Sequence, residues 1–323
     1  MAELALIDRI SARLKVRAGV TLGIGDDAAV LDDDPPTVLT CDLLVDGVHF
    51  RRGATDPRDL GHKALAVNLS DLAAMGARPV AAVVGLGLPA HGEAEYAEID
   101  ALYDGMEELA ERHRLTVAGG DVTGAPVLVV AVTALGRMPA GVAPARRAGA
   151  RPGDLLCVTG TIGAAAAGLL VLEDPGRGEG VAEADALRAA HRRPEPRLAA
   201  GAALAAAGVH ALMDCSDGIA LDALRMARAS GLSAALRLED LPLAPGVATV
   251  AGRAGREADV LAATGGEDYE LIAAVAADDL PGLRAALEVP LTPVGRFAAG
   301  AGLRVERDGT AVALERLGWE HGG

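Results

Sequence analysis

Residues 56–76 read DPRDLGHKALAVNLSDLAAMG, and this stretch decides what kind of fold the chain adopts. Asp56 suits a helix N-cap with Pro57 at the first helical position, Leu60, Ala64, Leu65, Val67 and Leu72 give the helix an apolar side, and Gly76 ends it. Asp71 falls within that helix or at a break in it, where its side chain reaches the ends of neighbouring strands. Upstream, 28–31 and 38–41 read as short strands on either side of a Pro-containing turn at 32–37. Downstream, 80–88 is a strand-like run, and 93–114 is the clearest helix, with Tyr96, Ile99, Leu102, Tyr103, Met106 and Leu109 on one side. Strands at 115–118 and 127–135 flank the segment 119–126.

Farther out, 138–153 holds Pro139, Pro144 and Pro152 among several Gly and Arg residues and reads as a linker. The second half is expected to contain a strand at 155–159, an Ala-rich helix from Ile162 and an exposed loop at 174–180. A helix at 196–207, a strand at 211–213 and a helix from Ser216 or Asp217 to Ser230, stopped by Gly231, follow. A strand at 270–276 and a hairpin at 304–314 turning on Asp308-Gly309 complete it. Leu4, Ile7, Ile10 and Leu14 predict a helix at the N-terminus, unlike the uninterrupted apolar segment of a signal peptide. Strands and helices are interleaved without strict βαβ order, so the expected class is α/β with two mixed α/β domains, 1–140 and 150–323, rather than a doubly wound parallel sheet.

At 323 residues, the chain has room for two domains, and with 51% hydrophobic but only 2% aromatic residues its cores must be built from Ala, Val, Leu and Ile. The formal charge of −15 argues against a nucleic-acid surface, which needs clustered Lys and Arg. The same charge repels a nucleotide unless cations bridge the two anions. Cys41, Cys157 and Cys215 form no CxxC pair, which fits a reducing compartment without structural zinc. The apolar runs at 80–90 and 162–172 are shorter than the roughly 20 residues that span a bilayer. A cytoplasmic protein without membrane contact is expected.

Aspartate recurs on small-residue turns beside apolar runs: Gly25-Asp26-Asp27, Thr40-Cys41-Asp42, Leu69-Ser70-Asp71, Gly119-Gly120-Asp121 and Asp214-Cys215-Ser216-Asp217. Asp is the shortest carboxylate, and Mg²⁺ takes a few such hard oxygens while keeping waters and substrate phosphates. Single segments of this sort serve as caps and turns, but ordinary caps do not so often place a second carboxylate or a glycine pair beside the first. The set points to phosphate chemistry through several cations. Familiar phosphate binders are excluded, since neither Lys15 nor Lys63 follows a glycine as a P-loop requires, and the HRD and DFG elements of protein kinases are absent. Residues 23–28 match GxGxxA, yet Asp26 and Asp27 inside that loop would face the pyrophosphate it is meant to cradle.

Taken in order, GIGDDAAVL (23–31), TCDLLVDGVHF (40–50), HKALAVNLSDLAAMGARP (62–79), GGDVTG (119–124), DCSDGIALDAL (214–224) and GGEDYEL (265–271) resemble the thiamine-monophosphate kinases of the aminoimidazole-ribonucleotide-synthetase-like superfamily. The resemblance implies two mixed α/β domains of that type and a homodimer formed through N-terminal-domain strands. It also implies ATP bound with several Mg²⁺ ions and direct transfer of the γ-phosphoryl group to thiamine monophosphate; because the acceptor phosphate oxygen is already ionised at neutral pH, the expected mechanism is in-line transfer without a covalent enzyme intermediate and without need of a strong general base. Other ATP-using enzymes of the superfamily and a non-catalytic nucleotide-binding scaffold are the alternatives. By motif, Asp27, Thr40, Cys41, Asp42, Asp71, Asp121, Asp214 and Asp217 resemble the metal ligands, with Asp26 behind them. Cys41 departs from the family pattern: a thiol is a poor Mg²⁺ partner, so either its backbone carbonyl is the contact or the position has lost its side-chain contribution. For ATP the resemblance points to Tyr103, Gly119, Gly120, Asp121, Ser216 and Arg147, with Arg146 as the alternative arginine. For the acceptor it points to His49, to Glu267 on the aminopyrimidine, and to Trp319, the only tryptophan, on a ring face.

Overall fold

The computed structural model describes residues 18–89 and 92–320. The N-terminal helix expected from Leu4 to Leu14 lies outside the described residues. Two sheets form the frame. The first contains β1 (Val20–Leu22), β2 (Ala29–Leu31), β3 (Thr37–Val45), β4 (Arg78–Leu88), β5 (Thr116–Gly124) and β6 (Val129–Arg137), in the order β1-β2-β3-β6-β4-β5. Neighbours are antiparallel except β4 and β5, which are parallel.

The second sheet contains β7 (Leu155–Thr159), β8 (Ala211–Cys215), β9 (Ser233–Arg237), β10 (Glu270–Val275), β11 (Leu291–Ala298), β12 (Gly302–Arg307) and β13 (Thr310–Ala311), in the order β13-β12-β9-β11-β7-β10-β8. Only β12 and β9 run parallel. Asp308 (φ 50°) and Gly309 (φ 76°) are both left-handed, as the tight turn expected at Asp-Gly requires.

Helix α1 (Pro57–Met75) is the stretch quoted at the outset. Asp56 caps it through Arg58 N–H, and Gly76 ends it at φ 77°. Nearly every residue from Leu60 to Met75 is buried, because α1 packs on β3 and β6 of the first sheet, on α2 (Glu93–His113), and on β8 and α5 (Leu198–Ala207) of the second half. With so few aromatics, close approach replaces bulk. A Cβ at Gly61 would lie 1.8 Å from Leu102 O, one at Gly105 1.8 Å from Arg58 O, and one at Gly201 1.9 Å from Ala73 O. Ala73 and Ala74 of α1 share an apolar cluster with Leu204, Leu212 and Leu271, so the two halves meet across this helix.

Around these lie α3 (Ala164–Glu173), α4 (Ala184–Arg192), α6 (Ile219–Ala229), α7 (Val247–Arg253), α8 (Ala258–Thr264) and α9 (Leu280–Ala286). Several elements depart from the sequence expectation. Strand β5 runs through Gly119-Gly120-Asp121 instead of stopping before it, because pairing with β4 extends the chain there and a register shift absorbs the left-handed Gly119 at φ 144°. The helix expected from Ser216 or Asp217 begins at Ile219, since Gly218 at φ 117° still belongs to the turn. The segment 138–153 contains neither helix nor strand, as a connection should. Among the described residues no helix is long and apolar enough to cross a membrane.

Candidate active site

The aspartates arrive on five different backbone elements. Asp27 precedes β2, Asp42 lies in β3, Asp71 in the last turns of α1, Asp214 in β8 and Asp217 in the turn before α6. One carboxylate oxygen from each of Asp27, Asp71 and Asp214 can be chosen so that all lie within 4.8 Å of one another. Thr40 Oγ1 donates to Asp71 Oδ2, and Ser70 Oγ donates to Asp214 Oδ2 at 2.8 Å. Asn68 Oδ1 accepts from Asp42 N–H at 3.0 Å, so a single turn of α1, from Asn68 to Asp71, positions the cluster.

Carboxylates gathered in this way resist ionisation. Burial, then repulsion from Asp217 and Asp27, raises the pKa of Asp42 to about 6. Burial followed by neighbouring aspartates pushes Asp71 and Asp214 well up, partly offset by the hydrogen bonds from Thr40 and Ser70. Asp26 is raised to about 6 by burial and by Asp27, against backbone donors from Arg147 and Asp27. Asp27 Oδ2 is buried with no hydrogen-bond partner. Hard oxygens in excess of protons and donors, with one of them orphaned, fit a divalent cation such as Mg²⁺. Asp27, Asp71 and Asp214 would hold it, with Asp42 adjacent.

Two arginines neutralise part of this charge. Arg147 pairs with Asp27 through its guanidinium and donates its backbone N–H to Asp26 at 3.0 Å, whereas the neighbouring Arg146 is exposed. Arg147 is therefore the arginine turned toward the aspartates. Arg225 on α6 bridges Asp217 and the fully buried Asp222, and Asp222 in turn accepts the N–H groups of Asp217 (3.0 Å) and Gly218 (3.2 Å).

Asp121 does not join the cluster within one chain. Strand register places Asp42 in a row with Val132, Val84 and Gly120, on the face toward α1, and Asp121 in a row with Gly85, Ala131 and Leu43, on the opposite, exposed face. Cys41 is displaced for the same reason. Thr40 and Asp42 face α1 while Cys41 between them is exposed on the other side, so its thiol points away from the aspartates. Gly119 and Gly120 lie beside Asp121 on the exposed edge strand. Tyr103 is partly buried against the first core, which raises its phenol pKa.

Of the residues that the resemblance assigns to the acceptor, His49 closes the turn after β3, its Nδ1 accepting Val45 N–H at 3.0 Å. In the neutral ring the proton then sits on Nε2. Trp319 N–H donates to Asp217 O at 2.9 Å, which lays the C-terminal segment over the turn carrying Asp217 and Ser216. Glu267 N–H donates to Ser216 O at 2.6 Å. The Glu267 carboxylate meets Lys63 Nζ at 2.7 Å and His191 Nδ1 at 3.0 Å. Burial alone would raise the Glu267 pKa, but Lys63 and His191 outweigh it and bring it down to about 2. Asp268 caps α3 by accepting from Gly163 N–H (2.7 Å) and Ala165 N–H (3.2 Å), and Glu270 is held by Arg197 and by Thr159 at 2.7 Å. A surface cleft of about 640 Å³ is lined by Arg52 to Pro57, Glu98 and Arg192. None of the aspartates of the cluster lines it.

Sequence reasoning missed Lys63, Asn68, Ser70, His191, Asp222 and Arg225. One signal was available for Lys63, a charged residue inside the otherwise apolar HKALAV run, which has to find a buried partner.

Residues 25–138 match the family described as AIR synthase related protein, N-terminal domain, and residues 151–308 match AIR synthase related protein, C-terminal domain. The thiamine-monophosphate kinase of Bacillus subtilis (strain 168) is 37% identical over 330 residues, covering 99% of each chain. The solved structure of AaThiL complexed with AMPPCP and TMP superposes with a TM-score of 0.85 at 31% identity, covering 99% of this chain and 96% of that one. The crystal structure of thiamine-monophosphate kinase from Stenotrophomonas maltophilia K279a is 40% identical with a TM-score of 0.76, covering 97% and 98%. Both halves thus match the two domains of one family, and the identity runs almost end to end, so the chain belongs to the thiamine-monophosphate kinases among the AIR synthase related proteins.

Proposed function

We propose that the chain transfers the γ-phosphoryl group of ATP to thiamine monophosphate, giving thiamine diphosphate and ADP. The observation that carries this reading is the cluster of Asp27, Asp71 and Asp214, one carboxylate oxygen from each lying within 4.8 Å of the others, with Asp27 Oδ2 buried and orphaned. When bound, Mg²⁺ supplies charge neutralisation to the two phosphate groups that must approach each other. The acceptor phosphate oxygen is already ionised at neutral pH, so no side chain has to remove a proton. A new P–O bond forms to that oxygen as the bond from the γ-phosphorus to the ADP oxygen breaks, and catalysis rests on positioning.

In this reading Thr40 and Asp42 complete the cation sites with Asp27, Asp71, Asp214 and Asp217, and Cys41 has only its carbonyl to offer. Arg147 and Ser216 meet the nucleotide, with Tyr103 near its base or ribose. His49 donates from Nε2 to the acceptor phosphate, Glu267 accepts from the aminopyrimidine, and Trp319 stacks on a ring of the thiamine.

We further propose a homodimer built on the outer face of the first sheet. Leu43, Val80 and Val83 are 50%, 44% and 46% exposed there, with Cys41 beside them, which is an apolar surface that a lone subunit would leave in water. Asp121 shares that face, so Gly119, Gly120 and Asp121 of one subunit serve the aspartate cluster of the other. The N-terminal half (1–140) then carries dimerisation and most cation ligands, and the C-terminal half (150–323) completes the nucleotide and acceptor sites.

Incubation of the purified protein with ATP, Mg²⁺ and thiamine monophosphate, followed chromatographically, tests the reaction. Chelator-sensitive thiamine diphosphate formed from the monophosphate and not from free thiamine is the expected result. ATP binding without product would move the reading to a different acceptor within the same fold.

A further inference from the structure

Lys63 is one of two lysines in the chain, and it is buried in the middle of α1 with its side chain 4% exposed. Its ammonium lies 2.7 Å from Glu267 Oε1, while His191 Nδ1, from the C-terminal end of α4, lies 3.0 Å from Glu267 Oε2. Three elements distant in sequence thus converge on one carboxylate. Stability alone does not call for this arrangement. Burying a lysine and a glutamate costs desolvation that an apolar pair of the same volume avoids. Glu267 also holds a left-handed backbone at φ 69° and Tyr269 another at φ 49°, in a loop where glycine would be free of strain. The loop has glycines at 265 and 266 and keeps a carboxylate at the next, strained position.

We infer that Lys63 and His191 are positioning residues that make Glu267 a fixed, acceptor-only edge, and that they thereby set the preference for an acceptor bearing an exocyclic amine. The inference rests on the acceptor reading of Glu267 given above. Each carboxylate oxygen has two lone-pair directions, and Lys63 and His191 take one on each oxygen. The remaining directions only accept, so an amino group is matched and a carbonyl at the same place is repelled. Through Glu267 N–H to Ser216 O at 2.6 Å, this edge is tied to the turn that carries Asp217. Lys63 lies seven residues before Ser70 on α1, two helical turns, so the residue that holds Glu267 and the residue that holds Asp214 share one side of one rigid helix. The acceptor ring and the cation cluster are thereby kept at a set separation.

The test uses the full chain with ATP and two acceptors, thiamine monophosphate and oxythiamine monophosphate, in which a carbonyl oxygen replaces the pyrimidine amine. Lys63→Met and His191→Leu are each expected to raise KM for thiamine monophosphate about ten- to a hundredfold, the cost of losing a hydrogen bond to a charged group. KM for ATP should stay within about twofold, and the preference for thiamine over oxythiamine monophosphate should fall about tenfold, as befits an effect confined to one edge of the acceptor. Lys63→Arg, which keeps the cation, should recover most of the preference. Equal losses with both acceptors, or a loss for ATP as large as that for the acceptor, would mark the two residues as structural props and overturn the inference. If Lys63→Met does not fold, His191→Leu decides the matter with the same readouts. A wild-type protein that makes no thiamine diphosphate removes the acceptor reading itself, whereas an active wild type with unchanged variants removes only the role of Lys63 and His191.

Discussion

Asp42 and Asp121 belong to one sheet and face opposite sides of it, Asp42 in the row of Val132, Val84 and Gly120, and Asp121 in the row of Leu43, Ala131 and Gly85. Two carboxylates so arranged cannot hold the same cation in a single subunit. If both serve phosphoryl transfer, they do so in different subunits' sites.

Mixed dimers make that relationship measurable. Asp42→Asn and Asp121→Asn should each leave a folded protein with turnover reduced by about a thousandfold or more, since each removes charge stabilisation of the transferring group. After the two inactive variants are dissociated and reassociated together, about a quarter of wild-type activity should return, because half the dimers are mixed and each mixed dimer has one intact site. No recovery would mean that each subunit supplies both residues to its own site.

Removing a carboxylate from the cluster should stabilise the cation-free protein while ending its activity. Asp71 carries an unfavourable charge through burial and through Asp42, Asp214 and Asp27. Asp71→Asn is therefore expected to raise urea stability without Mg²⁺ by about 1–2 kcal/mol, of the size usually gained when a strained functional site is neutralised. Added Mg²⁺ should stabilise the wild type and have little effect on the variant, by linkage.

Glu267 supplies a stability change of the opposite sign. Its pKa falls from 4.5 to about 2 on folding, with burial opposing and Lys63 and His191 prevailing. A carboxylate with a depressed folded-state pKa stabilises the protein fully above its unfolded value, and that contribution is lost as pH falls from about 4.5 toward 2. Glu267→Gln should cost about 3 kcal/mol at pH 6 and progressively less at pH 4 and below, as the pKa difference requires. Denaturant titrations of both proteins from pH 6 to pH 3 give the comparison. A gap that does not narrow on acidification contradicts the pairing.

The backbone contact between α1 and α2 predicts an unusually severe small substitution. A Cβ at Gly61 would meet Leu102 O at 1.8 Å and cannot be accommodated without parting the helices. Gly61→Ala should destabilise by about 3 kcal/mol or more, at the upper end of overpacking costs. Gly282→Ala, with nothing within 4 Å of the added Cβ, is the control and should change little.

Local signals were legible in the sequence where local chemistry decides the structure. Asp56-Pro57 and Gly76 marked the ends of α1. Asp308-Gly309 marked the tight turn, because both positions demand a left-handed backbone that few residues supply. The Gly119-Gly120 pair misled for the complementary reason. It reads as a turn, yet pairing with β4, which no local pattern reports, draws it into a strand. The aspartates of the cluster were recognisable by type and spacing, but the sides of β3 and β5 on which they fall depend on register. Arg146 and Arg147 are indistinguishable in sequence, and only the fold turns Arg147 toward Asp27. Lys63 and His191 stayed hidden because their shared partner, Glu267, comes from the other end of the chain.

Helix α1 is seated against α2 of its own half, where Gly61 meets Leu102 and Gly105 meets Arg58, and against the second half where Gly201 meets Ala73. Helices locked backbone to backbone on two sides cannot slide or rotate past one another without breaking both seats at once. The two halves are therefore keyed together by a missing side chain, and a single methyl group at Gly201 would force them apart.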